Sequence, residues 1–288
     1  MRIDKQRLSV FGISALPLLI GAALAGMIST SDIFGEIVES HSQVFSIADL
    51  VTQAIVSIGL GSLVVLSLFY TIQKRGARAR RTIVAFIVSP VLTVSFFIMG
   101  QSIMLILFKG ASIYSSILSI ATLGVLLMSF VFIMMDSVPS YMRNFFVAFY
   151  GSVFGTFLGV IFITASMFVL VISVVAEDYF LTKYSPVATA SLIETPGADP
   201  FDLTRIQSAT AAVGVGDYIA FSLISAHSLL FFPLYVWFMS MLLALIGIFI
   251  NVTVIAKENQ ILPGLPLPAI LALFPWAIHL ISLTLIGG

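Results

Sequence analysis

The sequence predicts an all-α, polytopic membrane protein with nine transmembrane helices. Of the 288 residues, 60% are hydrophobic and only 9% are charged, whereas ordinary globular proteins contain about 25% charged residues. The mean hydropathy of +1.15 extends over the whole chain, so no polar stretch is large enough for a separate soluble domain. We therefore expect residues 1–288 to form a single membrane domain, and we exclude nucleic-acid-binding modules and cytosolic enzymes.

Uncharged runs of about 20 residues mark the individual spans, because that length covers a bilayer core of roughly 30 Å. The first four runs are 8–28, 51–72, 82–108 and 113–135. The run 144–176 is too long for one crossing, so we divide it near Gly155 and Gly159 into spans five and six. Pro233 cannot continue a helical ladder and divides 218–256 into spans seven and eight. Spans one to six then occupy about 8–181, a cytoplasmic loop about 183–209, and spans seven to nine about 210–288.

The basic residues predict the orientation, since Lys and Arg near helix ends stay in the cytoplasm. With a cytoplasmic N-terminus, all but one of the 13 Lys and Arg residues lie on the inner side. The exception is Lys109, and the segment 74–81 becomes a basic cytoplasmic loop between spans two and three. We expect a multi-pass protein of the cell membrane with an external C-terminus.

Three acidic residues lie within predicted spans, where an unpaired carboxylate is costly and usually has a function. Glu177 and Asp178 are in the last part of span six, and Asp217 is near the start of span seven. These spans run in opposite directions and are joined in the cytoplasm, so Asp178 and Asp217 should lie at similar depth. Two adjacent carboxylates can share a proton, with one accepting a proton from water and the other protonating a carbonyl oxygen. The pair indicates aspartic-protease chemistry.

Other catalytic groups are poorly represented. The chain has no cysteine and three histidines, and it contains no His-Glu-x-x-His zinc motif. His227 and His279 lie within spans without a matching serine motif, and we expect both to be packing residues. The sequence predicts neither a metal site nor an organic cofactor.

Glycines and prolines accompany the acids. Gly214 and Gly216 precede Asp217 and let a partner helix or a substrate backbone approach closely. Span nine opens with the segment 263–269, Pro-Gly-Leu-Pro-Leu-Pro-Ala. Such a segment cannot complete a helical ladder, and at membrane depth it is tolerated only when buried in protein or facing a wet cavity.

These blocks together resemble the presenilin and signal peptide peptidase family of intramembrane aspartic proteases, in its small archaeal form. Gly214-Val215-Gly216-Asp217 is similar to the family's Gly-x-Gly-Asp block on the seventh span. Asp178, followed by Pro186, resembles the aspartate block of the sixth, and Gly264-Leu265-Pro266-Leu267-Pro268 resembles the Pro-Ala-Leu-Pro region of the ninth. Glu177 stands where the family has tyrosine, and Pro-Leu-Pro-Ala stands where it has Pro-Ala-Leu-Pro.

The resemblance implies an endopeptidase that cleaves the transmembrane helices of other membrane proteins. Asp178 and Asp217 would be catalytic. The residues that would lie beside the substrate are Gly214, Gly216, Leu265, Pro266, Leu267 and Pro268. Expected partners are transmembrane-helix substrates and the lipid bilayer, not nucleic acid, with homo-oligomerisation left open.

Two other interpretations remain at this point. In an ion- or proton-coupled transporter the two aspartates would bind the ion and the Gly and Pro interruptions would be broken helices, although the two halves of the chain show no internal repeat. In an inactive scaffold of the same fold the acids would have no catalytic use.

Two finer points also follow from the sequence. Successive helical residues point about 100° apart, so only one of Glu177 and Asp178 can pair with Asp217, and we expect it to be Asp178. The segment 187–193, between Pro186 and Pro196, contains Val, Thr and Ile and could supply a strand edge that holds substrate extended. An ordinary loop is the equally good alternative.

Overall fold

The computed structural model describes residues 5–30, 35, 47–108, 112–184, 203–207, 212–256 and 262–286, and most of them are helical. Eight α-helices follow in chain order: α1 (Lys5–Ser29), α2 (Ile47–Phe108), α3 (Ser112–Met134), α4 (Ser140–Ile161), α5 (Thr164–Tyr184), α6 (Val215–Phe231), α7 (Leu234–Ile250) and α8 (Pro266–Ile286). A π-helical turn, Asn251–Ile255, extends α7. A short antiparallel hairpin of β1 (Arg205–Gln207) and β2 (Ala212–Gly214) precedes α6.

Seven helical segments are long and apolar enough to cross a membrane, in agreement with a polytopic helical membrane protein. They are Arg7–Ser29, Arg81–Met104, Ser116–Met134, Tyr141–Ile161, Thr164–Tyr184, Leu234–Ile255 and Pro266–Leu283. Two shorter apolar segments, Ala48–Gly59 and Val215–Phe231, fall within or overlap the predicted spans two and seven. Large apolar side chains such as Leu19, Ile120 and Phe274 are exposed, which is the pattern of residues that face lipid.

The predicted loop between spans two and three is wrong. α2 continues through the basic cluster without interruption for 62 residues. A straight helix of that length rises about 93 Å, roughly three times the thickness of a bilayer core. Charge marks this segment as polar but does not break a helix, because Lys, Arg and Gln are good helix formers and residues 73–81 contain no proline.

The predicted break between spans five and six is also misplaced. Gly155 and Gly159 lie inside α4, which continues to Ile161, and the chain turns at residues 162–163. α4 and α5 are therefore full-length helices of 22 and 21 residues, rather than two short spans. The helix continues through both glycines, which lack side chains and let the α4 backbone pack closely against α6.

Gly151, Gly155 and Gly159 follow one face of α4 at four-residue intervals and contact α6. A Cβ atom on Gly159 would lie 2.7 Å from the carbonyl oxygen of Leu223, and one on Gly155 would collide with the Ile219 backbone. Small residues at this spacing allow the backbones of membrane helices to approach closely. α4 and α6 consequently form the most extensive helix pair in the described part of the chain.

α1 packs on α6 from another direction. The Tyr218 hydroxyl donates a hydrogen bond to the Ile13 carbonyl oxygen at 2.6 Å, and the Ser225 hydroxyl donates to the Leu18 carbonyl oxygen at 2.7 Å. Further along, a Cβ on Gly21 would meet the Ser222 backbone. α6 is thus fixed between α1 and α4.

The β1–β2 hairpin fixes the position of the chain just before α6 begins. Ile206 pairs with Val213, and both side chains are buried. Just before β1, the carbonyl oxygen of Leu203 accepts a hydrogen bond from the Tyr150 hydroxyl of α4 at 2.7 Å. β2 then leads directly into α6, whose N-cap residue is Gly214. The strand edge predicted at 187–193 lies outside the described residues.

Candidate active site

Asp178 lies near the C-terminal end of α5 and is half-buried. Its Oδ2 atom accepts a hydrogen bond from the Leu265 backbone N–H at 3.1 Å, and its Oδ1 atom accepts one from the Thr182 hydroxyl at 3.3 Å. Leu265 is the residue immediately before α8. The Asp178 carboxyl group is therefore held by a residue of its own helix and by the chain that enters α8.

Asp217 is the third residue of α6 and is also half-buried. Its side chain turns back and interacts with the backbone N–H of Gly214. This is the geometry of an acidic residue that closes the first turn of a helix, where the backbone N–H groups lack partners within the helix. The glycine-rich start of α6 thus fixes the second carboxyl group.

The two carboxyl groups meet at one short segment, Gly264–Leu265. The Leu265 N–H contacts Asp178, while a Cβ on Gly264 would lie 2.7 Å from Asp217 Oδ2. Asp178 and Asp217 are also close enough to interact electrostatically. The structure therefore brings together the acids of predicted spans six and seven and the proline-rich start of predicted span nine.

The other residues predicted to contact substrate occupy different positions. Gly214 and Gly216 are exposed beside Asp217. The Leu265 side chain is buried in the core, so this residue reaches Asp178 only through its backbone. Pro266 and Leu267 are half-buried in the first turn of α8.

Pro268 faces α7 instead of the acids. A Cβ on Gly247 of α7 would lie 2.5 Å from the Pro268 Cα atom, so the two backbones are in direct contact. One helical turn later, the Ser240 hydroxyl of α7 donates a hydrogen bond to the Ala272 carbonyl oxygen at 2.8 Å. Pro268 therefore anchors α8 on α7.

A third contact between α7 and this region was not predicted. The Asn251 side-chain amide donates a hydrogen bond to the Gly264 carbonyl oxygen at 2.9 Å. Asn251 opens the π-helical turn and is buried. The signal in the sequence was a lone amide within an otherwise apolar run, because a buried polar side chain needs a partner.

Glu177 points to a different neighbour from that of Asp178. Its Oε1 atom accepts a hydrogen bond from the Ser62 hydroxyl of α2 at 3.3 Å. The two consecutive acids thus contact different helices, as the 100° step between helical residues requires. Of the two, Asp178 is the acid that reaches the Gly264–Leu265 segment.

The two histidines in spans make local contacts. His227 is fully buried, its Nδ1 atom lies 2.7 Å from the Gly159 carbonyl oxygen and its Nε2 atom lies 3.1 Å from the Thr164 hydroxyl. His279 pairs with the Tyr235 hydroxyl at 2.8 Å. These contacts fit the packing role expected for both residues.

No protein-family model matches the chain, and comparison with curated proteins finds no match for it. The candidate site therefore depends on the geometry of the two acids and of the segment that contacts them.

Proposed function

We propose that this protein is an intramembrane aspartic endopeptidase of the presenilin and signal peptide peptidase type, which cleaves the transmembrane helices of other membrane proteins. One observation carries the proposal: two half-buried carboxyl groups, Asp178 of α5 and Asp217 of α6, meet at the Gly264–Leu265 segment. Paired carboxyl groups supply both the base and the acid that peptide hydrolysis requires.

In the proposed reaction the pair begins with one proton. The ionised carboxylate takes a proton from water, and the water oxygen forms a bond to the scissile carbonyl carbon. The protonated carboxyl group gives its proton to the carbonyl oxygen, which yields a tetrahedral diol. The diol then loses a proton to a carboxylate, the amide nitrogen gains one, and the C–N bond breaks to leave a carboxylic acid and an amine.

The substrate backbone must be extended, because helical amides are shielded by their own hydrogen bonds. Gly214 and Gly216, exposed next to Asp217, leave room for a substrate backbone to come close. β2 belongs to a two-stranded sheet, so each strand has an edge that could pair with an extended chain. This hairpin supports a strand-addition mechanism at a place other than the predicted 187–193.

The proposal includes the topology. Nine crossings with a cytoplasmic N-terminus would bring twelve of the 13 Lys and Arg residues to the inner side. They require the chain to reverse near the basic cluster in a bilayer, where α2 is a continuous helix in the structure. Seven helical segments have the required length, and two shorter apolar segments lie in the regions of predicted spans two and seven. In this arrangement the protein resides in the cell membrane with lipid and membrane-helix substrates as its partners.

The experiment that tests the proposal uses purified protein and a single-span substrate tagged at both ends, with products identified by mass spectrometry. We expect cleavage that an aspartic-protease transition-state analogue blocks, and none in Asp178→Asn or Asp217→Asn. Asp49→Asn is the matched control, because Asp49 is exposed at the start of α2 and far in sequence from the site. Cleavage that survives in Asp217→Asn would contradict the proposal.

The same preparations distinguish the two alternatives. Proton uptake into proteoliposomes that depends on Asp178 and Asp217, without cleavage, would favour a proton-coupled transporter. The absence of both activities would favour an inactive scaffold.

A further inference from the structure

The peptide unit between Gly264 and Leu265 is bound at both of its ends. Its carbonyl oxygen, on Gly264, accepts a hydrogen bond from the Asn251 side-chain amide at 2.9 Å. Its N–H, on Leu265, donates a hydrogen bond to Asp178 Oδ2 at 3.1 Å. One peptide group thus connects a buried amide of α7 to a carboxyl group of the candidate site.

This connection is rigid, because a peptide group is planar and its C=O and N–H point in opposite directions in the trans form. Rotation of the plane moves both groups together, so the bond that holds the carbonyl also directs the N–H. Without that bond, Gly264 would leave the plane free to turn, since glycine has the widest choice of backbone angles. The direction of the Leu265 N–H therefore depends on Asn251.

Asn251 lies where the helix departs from α-helical geometry. It begins a π-helical turn, in which the backbone bond from Ala256 N to Asn251 O at 2.8 Å spans five residues. π-helical turns are rare and are often found at functional sites. Arg7 of α1 holds the same turn from outside through a 2.6 Å hydrogen bond to the Thr253 carbonyl oxygen.

We propose that Asn251 is a positioning residue that sets the Gly264–Leu265 peptide so that its N–H points at Asp178. Asn251 touches neither carboxyl group itself and acts only through this peptide. The expected effect of Asn251 on the rate of cleavage rests on the proposed protease function. Its expected effect on the orientation of the Gly264–Leu265 peptide does not depend on that function.

Hydrogen exchange measures the peptide directly. A proteolytic fragment covering 263–268 carries only three exchangeable backbone amides, those of Gly264, Leu265 and Leu267, because its other three residues are prolines. In Asn251→Leu and in Asn251→Asp we expect the Leu265 amide to exchange about tenfold faster, the factor that corresponds to one lost hydrogen bond of ordinary strength.

Thr253→Val is the matched control for damage to the π-helical turn. Among the described residues, its hydroxyl bonds only to the Phe249 carbonyl oxygen, so the exchange of Leu265 should not change. Unchanged exchange in both Asn251 variants would overturn the proposal, and so would equal acceleration in Thr253→Val. An effect of Asn251→Asp without one of Asn251→Leu would also overturn it, because charge rather than the lost donor would be the cause.

Kinetics supply the second measurement. With the tagged substrate, Asn251→Leu should lower kcat about tenfold with little change in KM, and should weaken the binding of a transition-state analogue by the same factor. Substrate binding would fall together with kcat if Asn251 only supported the fold. If the wild-type protein does not cleave at all, the protease proposal fails, while the exchange experiment still decides the role of Asn251.

Discussion

Replacement of Gly264 by alanine tests whether the spacing of the two acids is set by the segment before α8. The new Cβ atom would lie 2.7 Å from Asp217 Oδ2 and 3.1 Å from Asp217 Cγ. Ordinary contacts of this kind begin at 3.4 Å, so the carboxyl group must move by about 0.7 Å. Gly264 does not have a left-handed backbone conformation, which means that the collision with Asp217 is the main cost of the added methyl group.

The displaced group is the carboxyl end of the Asp217 side chain. Its movement should therefore cost little folding stability but should disturb the geometry of the two acids. A misplacement of 1 Å in a reacting group costs about a hundredfold in rate, and a shift of about 0.7 Å should therefore reduce kcat/KM roughly ten- to fiftyfold. The melting temperature should stay within about 2 °C of the wild-type value, as for an ordinary surface substitution.

The assay compares cleavage of the tagged single-span substrate and the melting temperature in Gly264→Ala and Gly26→Ala. Gly26 is a suitable control because a Cβ atom there would meet nothing within 4 Å. Full activity of Gly264→Ala would refute the reasoning, because Asp217 would then have room that the structure does not give it. A large drop in melting temperature would refute it in another way, by showing that the carboxyl group cannot yield.

Three further predictions follow from the same contacts. Asp178→Asn should be inactive and Glu177→Gln active in the cleavage assay, since of these two acids it is Asp178 that contacts the segment before α8, whereas Glu177 contacts Ser62; the reverse result would transfer the catalytic role to Glu177. Gly155→Val should lower the free energy of unfolding by about 2 kcal/mol or more through overpacking of the seam between α4 and α6, whereas Gly124→Ala, with open space around its Cβ, should leave it unchanged in thermal or denaturant unfolding. In this cysteine-free chain, a single Lys5→Cys should react with an impermeant maleimide only from the cytoplasmic side, and labelling of intact cells would overturn the predicted orientation.

The sequence predicted the helical membrane class because hydropathy is a property of composition and needs no tertiary information. It also identified the acids that meet, since an uncompensated carboxylate in an apolar span is conspicuous. Asp178 and Asp217 could be expected at similar depth from the direction of their helices alone. Their contact with the Gly264–Leu265 segment could not be predicted, because it depends on how α5, α6 and the start of α8 pack together.

Each error has its own cause. Gly155 and Gly159 were interpreted through backbone propensity, in which glycine weakens a helix, whereas α4 uses them for contact with α6. The basic cluster within α2 was interpreted through topology, although its residues favour helix. Asn251 was overlooked because its partner is the backbone carbonyl of Gly264 in the segment before α8, and no spacing along the chain reveals such a partner.

The confinement of α6 determines which half of the site can move. Gly21 of α1 lies against the Ser222 backbone and Gly155 of α4 against the Ile219 backbone of α6, so even a small slide of α6 would press main chain on main chain. α5 and α8 have far less extensive contact with α6. Asp217 therefore lies on the more firmly packed helix, and in the proposed protease a substrate chain that entered between the acids would displace α5, with Asp178, rather than α6.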